Sequence, residues 1–240
     1  MASGIFWFAT EPNYDKGAFQ LMNWLDKLER KYGRFAIPNI MIYVTTAMLV
    51  VYGFEVLLRA FNVSYYIALI PSLVLRGQVW RLITFIFMPP NASVLTILLA
   101  LYFYYVMGTT LERCWGTFRF NVYYLCGILG AIIAAFISGF GTNTYLNLSL
   151  FLAFAAIFPD QEVLLFYIIP IKVKYLALLD WVYFGFTILF GSFYSRMAGI
   201  FSLINFFIFF GPDFWNRIRT TMRYRKVQKN FRQNNNDLWR

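Results

Sequence analysis

Six apolar stretches alternate with short segments that hold nearly all of the charge in this chain. They run from about Ile37 to Leu58, Ala92 to Leu111, Phe118 to Phe140, Thr144 to Phe158, Leu176 to Phe190 and Met197 to Phe210. The hydrocarbon core of a bilayer is about 30 Å thick and a helix rises about 1.5 Å per residue, so about 20 apolar residues cross it. The pattern predicts an all-α, polytopic membrane protein with six transmembrane helices. The fourth stretch is short, reaching only about 22 Å as a helix. It therefore needs shelter from other helices or a locally thin bilayer.

Two apolar regions are too broken to be straight spans. Residues Ala60 to Pro90 are interrupted by Pro71, Arg76, Gly77, Arg81, Pro89 and Pro90. A span through them would bury Arg76 or Arg81, at about 2.5 to 3.5 kcal/mol at the bilayer centre. A long, partly embedded loop with short helices is expected instead, after the first span. Glu162 to Tyr175 hold Pro170, Lys172 and Lys174 and predict an interfacial loop. Upstream, Ala18, Leu21, Leu25, Leu28 and Tyr32 recur at helical spacing opposite Asp26, Lys27, Glu29, Arg30 and Lys31. That pattern predicts a helix from Asp15 to Tyr32 lying in the interface plane, stopped by Gly33. The chain thus divides into an N-terminal cytoplasmic segment (1–35), a membrane domain (36–211) and a basic tail (212–240).

Composition agrees with this class. Hydrophobic residues make up 60% and charged ones 13%, which excludes an ordinary soluble globule and a disordered chain. The net charge is +10. All but four of the 21 Lys and Arg fall on one side of a six-span layout, the four being Arg59, Arg76, Arg81 and Arg196. Basic residues mark the cytoplasmic side, so both termini are expected there, in a multi-pass protein of the cell membrane. The tail cluster Arg223, Arg225, Lys226 and Lys229 follows a span directly and is expected to bind anionic lipid rather than nucleic acid. Cys114 and Cys126 read as small packing residues. No metal or cofactor motif occurs, and none is expected.

Three clusters carry a resemblance. Trp80-Arg81 lies in the broken loop. Gly108-x-x-x-Glu112-x-x-x-Gly116 closes the second span. Gly191-x-x-x-Ser195-Arg196-x-x-Gly199 opens the sixth. In this order on six spans they resemble the rhomboid superfamily of intramembrane serine proteases and their inactive relatives. The second cluster is more like bacterial rhomboids than the Derlins, which share the Trp-Arg loop motif.

The resemblance implies where catalytic groups would stand. The histidine position of the sixth span holds Arg196, and the adjacent alanine position holds Ser195. A guanidinium stays protonated and cannot act as a general base. The serine position near the start of the fourth span falls on Thr144 or Tyr145, without the flanking glycines. Ser149 lies more than a turn deeper. The oxyanion-side positions of the second span fall on Thr96 and Ala100. The whole chain has no histidine, so a Ser–His dyad cannot be assembled. The resemblance therefore implies a pseudoprotease, not an enzyme, that binds transmembrane segments of client proteins and affects their stability or trafficking. The alternatives are a serine-type intramembrane endopeptidase with unplaced catalytic residues and, third, a transporter or channel.

Trp80, Arg81, Gly108, Glu112, Gly116, Gly191, Ser195 and Gly199 are then frame residues. Arg81 is expected to pin the loop to backbone carbonyls or lipid phosphate, and Glu112 to cap a helix end or pair with Arg113 or Arg119. Arg196 is either a functional cation or an anchor at helix ends. Asp180 lies about a turn into the fifth span, where an acid is costly and often functional. Lys174 or Tyr175 is the expected partner for it.

Overall fold

The computed structural model describes residues 23–57, 63–165 and 169–211. They fall into two units, the first represented by residues up to Lys31 and the second spanning Tyr32–Gly211. Helix α1 (Asn23–Tyr32) ends with Arg30 and Lys31 in its last turn and has Asp26 in its first, charges that suit the helix dipole. The remainder of the expected interfacial helix, residues 15–22, lies outside the described residues, as does the basic tail with Arg223, Arg225, Lys226 and Lys229.

Five helices of the second unit are long and apolar enough to cross a membrane: α2 (Ile40–Leu57), α6 (Val94–Trp115), α7 (Thr117–Ser138), α9 (Val173–Phe190) and α10 (Phe193–Gly211). Helix α8 (Thr144–Ile157) is equally apolar but has only 14 residues, about 21 Å. It is walled by α6, α7 and α9. Nine of its residues are buried, from Tyr145 to Ala155 on nearly every side. A helix apolar all round needs protein or lipid on every face, and α8 obtains protein. The outer helices instead leave large apolar side chains uncovered, as Leu178, Leu179, Val182 and Phe186 do on α9.

Between α2 and α6 the broken segment forms three short helices, α3 (Val63–Ile67), α4 (Pro71–Val74) and α5 (Arg81–Thr84), then a 3-10 turn at Phe85–Phe87. Pro71 starts α4, where its missing N–H costs nothing. This segment is tied to the α7–α8 connection by paired backbone bonds between Leu69 and Gly141, at 3.2 and 2.8 Å.

Residues 162–172 depart from the expected loop. Strand β1 (Glu162–Leu165) pairs antiparallel with β2 (Ile169–Lys172), with Glu162 opposite Lys172. The chain is therefore mostly helical rather than all-α. Pro170 does not prevent the pairing, because both strands of a two-stranded sheet are edges.

Candidate functional site

The Gly108–Glu112–Gly116 cluster is a joint between three helices. A Cβ on Gly108 would lie 2.1 Å from Met41 Cγ of α2, so only glycine lets these helices approach so closely. One turn on, the Glu112 carboxylate accepts the Asn39 N–H at 2.8 Å and the Thr117 hydroxyl at 3.0 Å. Asn39 stands at φ +53 just before α2, in the left-handed region that Asn tolerates. Gly116 turns the chain from α6 into α7 at φ +88, which glycine adopts without strain. Glu112 thus holds the starts of α2 and α7 against α6.

Trp80 and Arg81 separate in role. Trp80 is exposed, whereas Arg81 is 1% exposed. The Arg81 guanidinium donates to the carbonyls of Tyr65 and Ala68, both at 2.7 Å. Its Nε donates to Gln78 Oε1 at 2.7 Å. The cation fastens α3 and α5 together, which makes its burial affordable. The side-chain amide of Asn143, which the sequence reading passed over, works similarly. It donates to the Ile86 and Met88 carbonyls at 2.8 and 2.9 Å and so anchors the start of α8. Its position just before an apolar stretch was the available signal.

Near the start of α8, residues of α8, α9 and α10 come together. Gly199 of α10 lies against Tyr145 of α8 and Phe184 of α9. The Tyr145 hydroxyl points to the Ser195 and Thr187 hydroxyls, and Ser195 meets Ser192 at 2.9 Å. Thr144 is exposed, and its hydroxyl accepts from Thr142 at 3.2 Å. Arg196 is also exposed and turned aside. It caps the end of α9 through Gly191 O at 2.8 Å and Leu189 O at 3.1 Å. Gly191 itself ends α9, its N–H bonded to Thr187 O. What converges is therefore a set of neutral hydroxyls. They can hold a polar group by hydrogen bonds, but none is a base that would deprotonate a serine near neutral pH.

Deeper in the bundle, Ser149 is fully buried. Tyr123 donates to its carbonyl at 2.9 Å and shares a 2.7 Å bond with its hydroxyl. Tyrosine has one proton to give, so the serine hydroxyl is the donor in the second bond. Ser149 is locked as a packing joint between α7 and α8.

Asp180 stands apart. It lies on the inward face of α9 with Val173, Ala177, Phe184 and Thr187. It is 6% exposed, and neither carboxylate oxygen has a hydrogen-bond partner among the described residues. The expected partners are elsewhere. Lys174 bonds Asp160 at 2.7 Å, and Tyr175 is exposed. Asp160, outside the helices, is held below the usual carboxylate range by the hydrogen bond and charge of Lys174. No cluster of three His, Cys, Asp or Glu suited to a metal ion occurs among the described residues.

No curated protein matches the chain. A family model does: it covers residues 41–211, which include all five long apolar helices but for the first residue of α2, together with α8 and the short-helix segment. The chain belongs to the family described as Eukaryotic integral membrane protein (DUF1751).

Proposed function

We propose that this integral membrane protein is a rhomboid-like pseudoprotease of six spans that binds transmembrane segments of client proteins and influences their stability or trafficking. The observation that carries the reading is the meeting of Tyr145 with Ser195 and Gly199. A tyrosine stands at one of the two candidate nucleophile positions, the alanine position beside it holds Ser195, and Arg196 at the histidine position is bonded to the end of α9 instead. With no histidine in the sequence, acyl transfer lacks the group that normally activates a serine. Binding of a membrane-spanning segment needs no such group. It needs an apolar flank with a few polar contacts, and α9 beside α8 offers both.

The short α8 supports the same reading. A helix of about 21 Å in a core of about 30 Å favours a thinned surround, which eases lateral approach of a partner helix. The charge pattern supports a cytoplasmic placement of both termini, with the 60–90 segment partly embedded on the opposite side.

The test is photo-crosslinking in native membranes from positions along α6 and α9. Capture of membrane proteins through their spans is the expected outcome. If neither helix captures any, client binding fails. Incubation in liposomes with a fluorophosphonate probe and a rhomboid model substrate tests the other half. Labelling of Thr144 or Ser149 that mutation abolishes would establish a protease instead.

A further inference from the structure

We propose that Asp180 is the docking point for a basic side chain carried in the middle of a client's membrane-spanning segment. The inference rests on the client-binding reading and specifies which clients the site selects. A carboxylate in a membrane helix is costly and is retained where a partner neutralises it. Arg81 shows how this chain treats a buried charge that is structural, with every strong bond made inside the fold. Asp180 has none.

Among the described residues, three basic groups are engaged elsewhere. Lys174 is bonded to Asp160, Arg196 to the end of α9, and Arg81 to α3. The depth of Asp180 follows from its neighbours. The Phe184 ring meets Tyr145 of α8 at 6.0 Å. One helical turn along α9 from Phe184, Asp180 is therefore level with Ser149, one turn along the antiparallel α8. The Ser149 hydroxyl is already taken by Tyr123. On the other side Trp181 meets Phe206 of α10 at 5.8 Å, which brings Asn205 to a similar depth. Asn205 Oδ1 is likewise buried without a partner.

Both open atoms of Asp180 are acceptors; the Asn205 amide itself faces α7, donating to Tyr123 O at 3.4 Å. A single proton on the carboxyl supplies a donor but no partner for either oxygen. A lysine ammonium brings three donors and an arginine five, along with the opposite charge. The path is apolar. Leu178, Leu179, Val182 and Phe186 are exposed on α9 and give a lipid-embedded helix a surface to lie on. Asp180 and the small Ala177 are on the inward face, so the basic stem reaches the carboxyl round the edge of α9, as long basic stems reach polar groups from apolar surfaces.

The test uses the full chain in lipid vesicles, with a photoreactive amino acid in place of Leu178. Three leucine-rich spanning peptides are offered, differing only in a central lysine, leucine or glutamate. The expected result is about three- to tenfold greater capture of the lysine peptide than of the leucine peptide, the range for a strong polar contact between membrane helices. Asp180→Asn removes the preference, Asp180→Glu keeps it, and Asp180→Lys transfers it to the glutamate peptide. Equal capture of lysine and leucine peptides, or a preference that survives Asp180→Asn, overturns the role of Asp180 while the capture itself upholds client binding. Absence of capture of every peptide overturns both. The comparison in the unaltered protein decides the matter if a variant fails to fold.

Discussion

Arg81 and Asp180 are both ionisable and both nearly sealed from solvent. The segment around Arg81 has no continuous helix, so Tyr65 and Ala68 have carbonyls to spare for its guanidinium. Around Asp180 the backbone of α9 is regular, and its N–H groups are consumed in the helix. An irregular segment can therefore absorb an opposite-signed group that a regular helix cannot. The difference separates a fastening residue from one available for an external partner, although burial alone makes them look alike.

The largest expected effect comes from breaking the fastener. Arg81→Met leaves two carbonyls and Gln78 without their donor, and each orphaned buried group costs about 1 to 3 kcal/mol. A loss of about 3 kcal/mol or more in unfolding free energy is expected, read by reversible denaturation in detergent. Arg81→Lys recovers part of it, because an ammonium reaches the carbonyls but lacks the planar fork. An unchanged midpoint for Arg81→Met would remove one side of the comparison.

Gly108→Ala comes next. The added methyl collides with Met41, itself almost wholly buried, and overpacking of this kind costs about 1 to 3 kcal/mol. Met41→Ala in the same protein restores part of the loss, a coupling that a double-mutant cycle reads directly. Tyr123→Phe is smaller. It removes the bonds to Ser149 at the cost of about 1 kcal/mol.

These three sites also show what was legible beforehand. Every apolar stretch was found, because hydropathy over a span is a local property. The ends were less accurate. Helix α6 runs on to Trp115 because the true stop is Gly116 at positive φ, not the charges at Glu112 and Arg113. Helix α10 begins at Phe193, ahead of Arg196, because that guanidinium folds back onto the end of α9. The hairpin at 162–172 was missed because its apolar residues and Pro170 looked like a loop, and strand pairing depends on a partner that local composition does not name. The bond from Glu112 to Asn39 crosses 73 positions. A fourfold-spaced motif announces a helix face, but not which residue comes to meet it. Likewise the family resemblance pointed to Thr144 or Tyr145 and to Arg196, whereas the outward turn of Arg196 follows from free carbonyls at a helix end.

Asp180→Asn has the opposite sign from Arg81→Met. It keeps the shape and removes a buried acid that no described group offsets, so stability is expected to stay level or rise. The same variant loses the lysine-peptide preference. Stability lost alongside the preference would mean that Asp180 has an internal partner, and the contrast with Arg81 would dissolve.

The smallest effect belongs to Asp160, the same residue type in the opposite setting. Its carboxyl is exposed and paired with Lys174 at 2.7 Å, and that pairing lowers its titration below the ordinary value. A depressed folded-state value means the unfolded chain takes up a proton first as pH falls. The pair's contribution is therefore present at neutral pH and vanishes as pH drops through the lowered value. Water and salt screen a pair this open, so Asp160→Asn should leave the unfolding midpoint unmoved at physiological salt and neutral pH. The acid limb of the pH–stability profile should shift only slightly. A clear loss of stability in Asp160→Asn would mean that the base of the hairpin orders the start of α9, and the exposed pair would then rank with Glu112 as a joint.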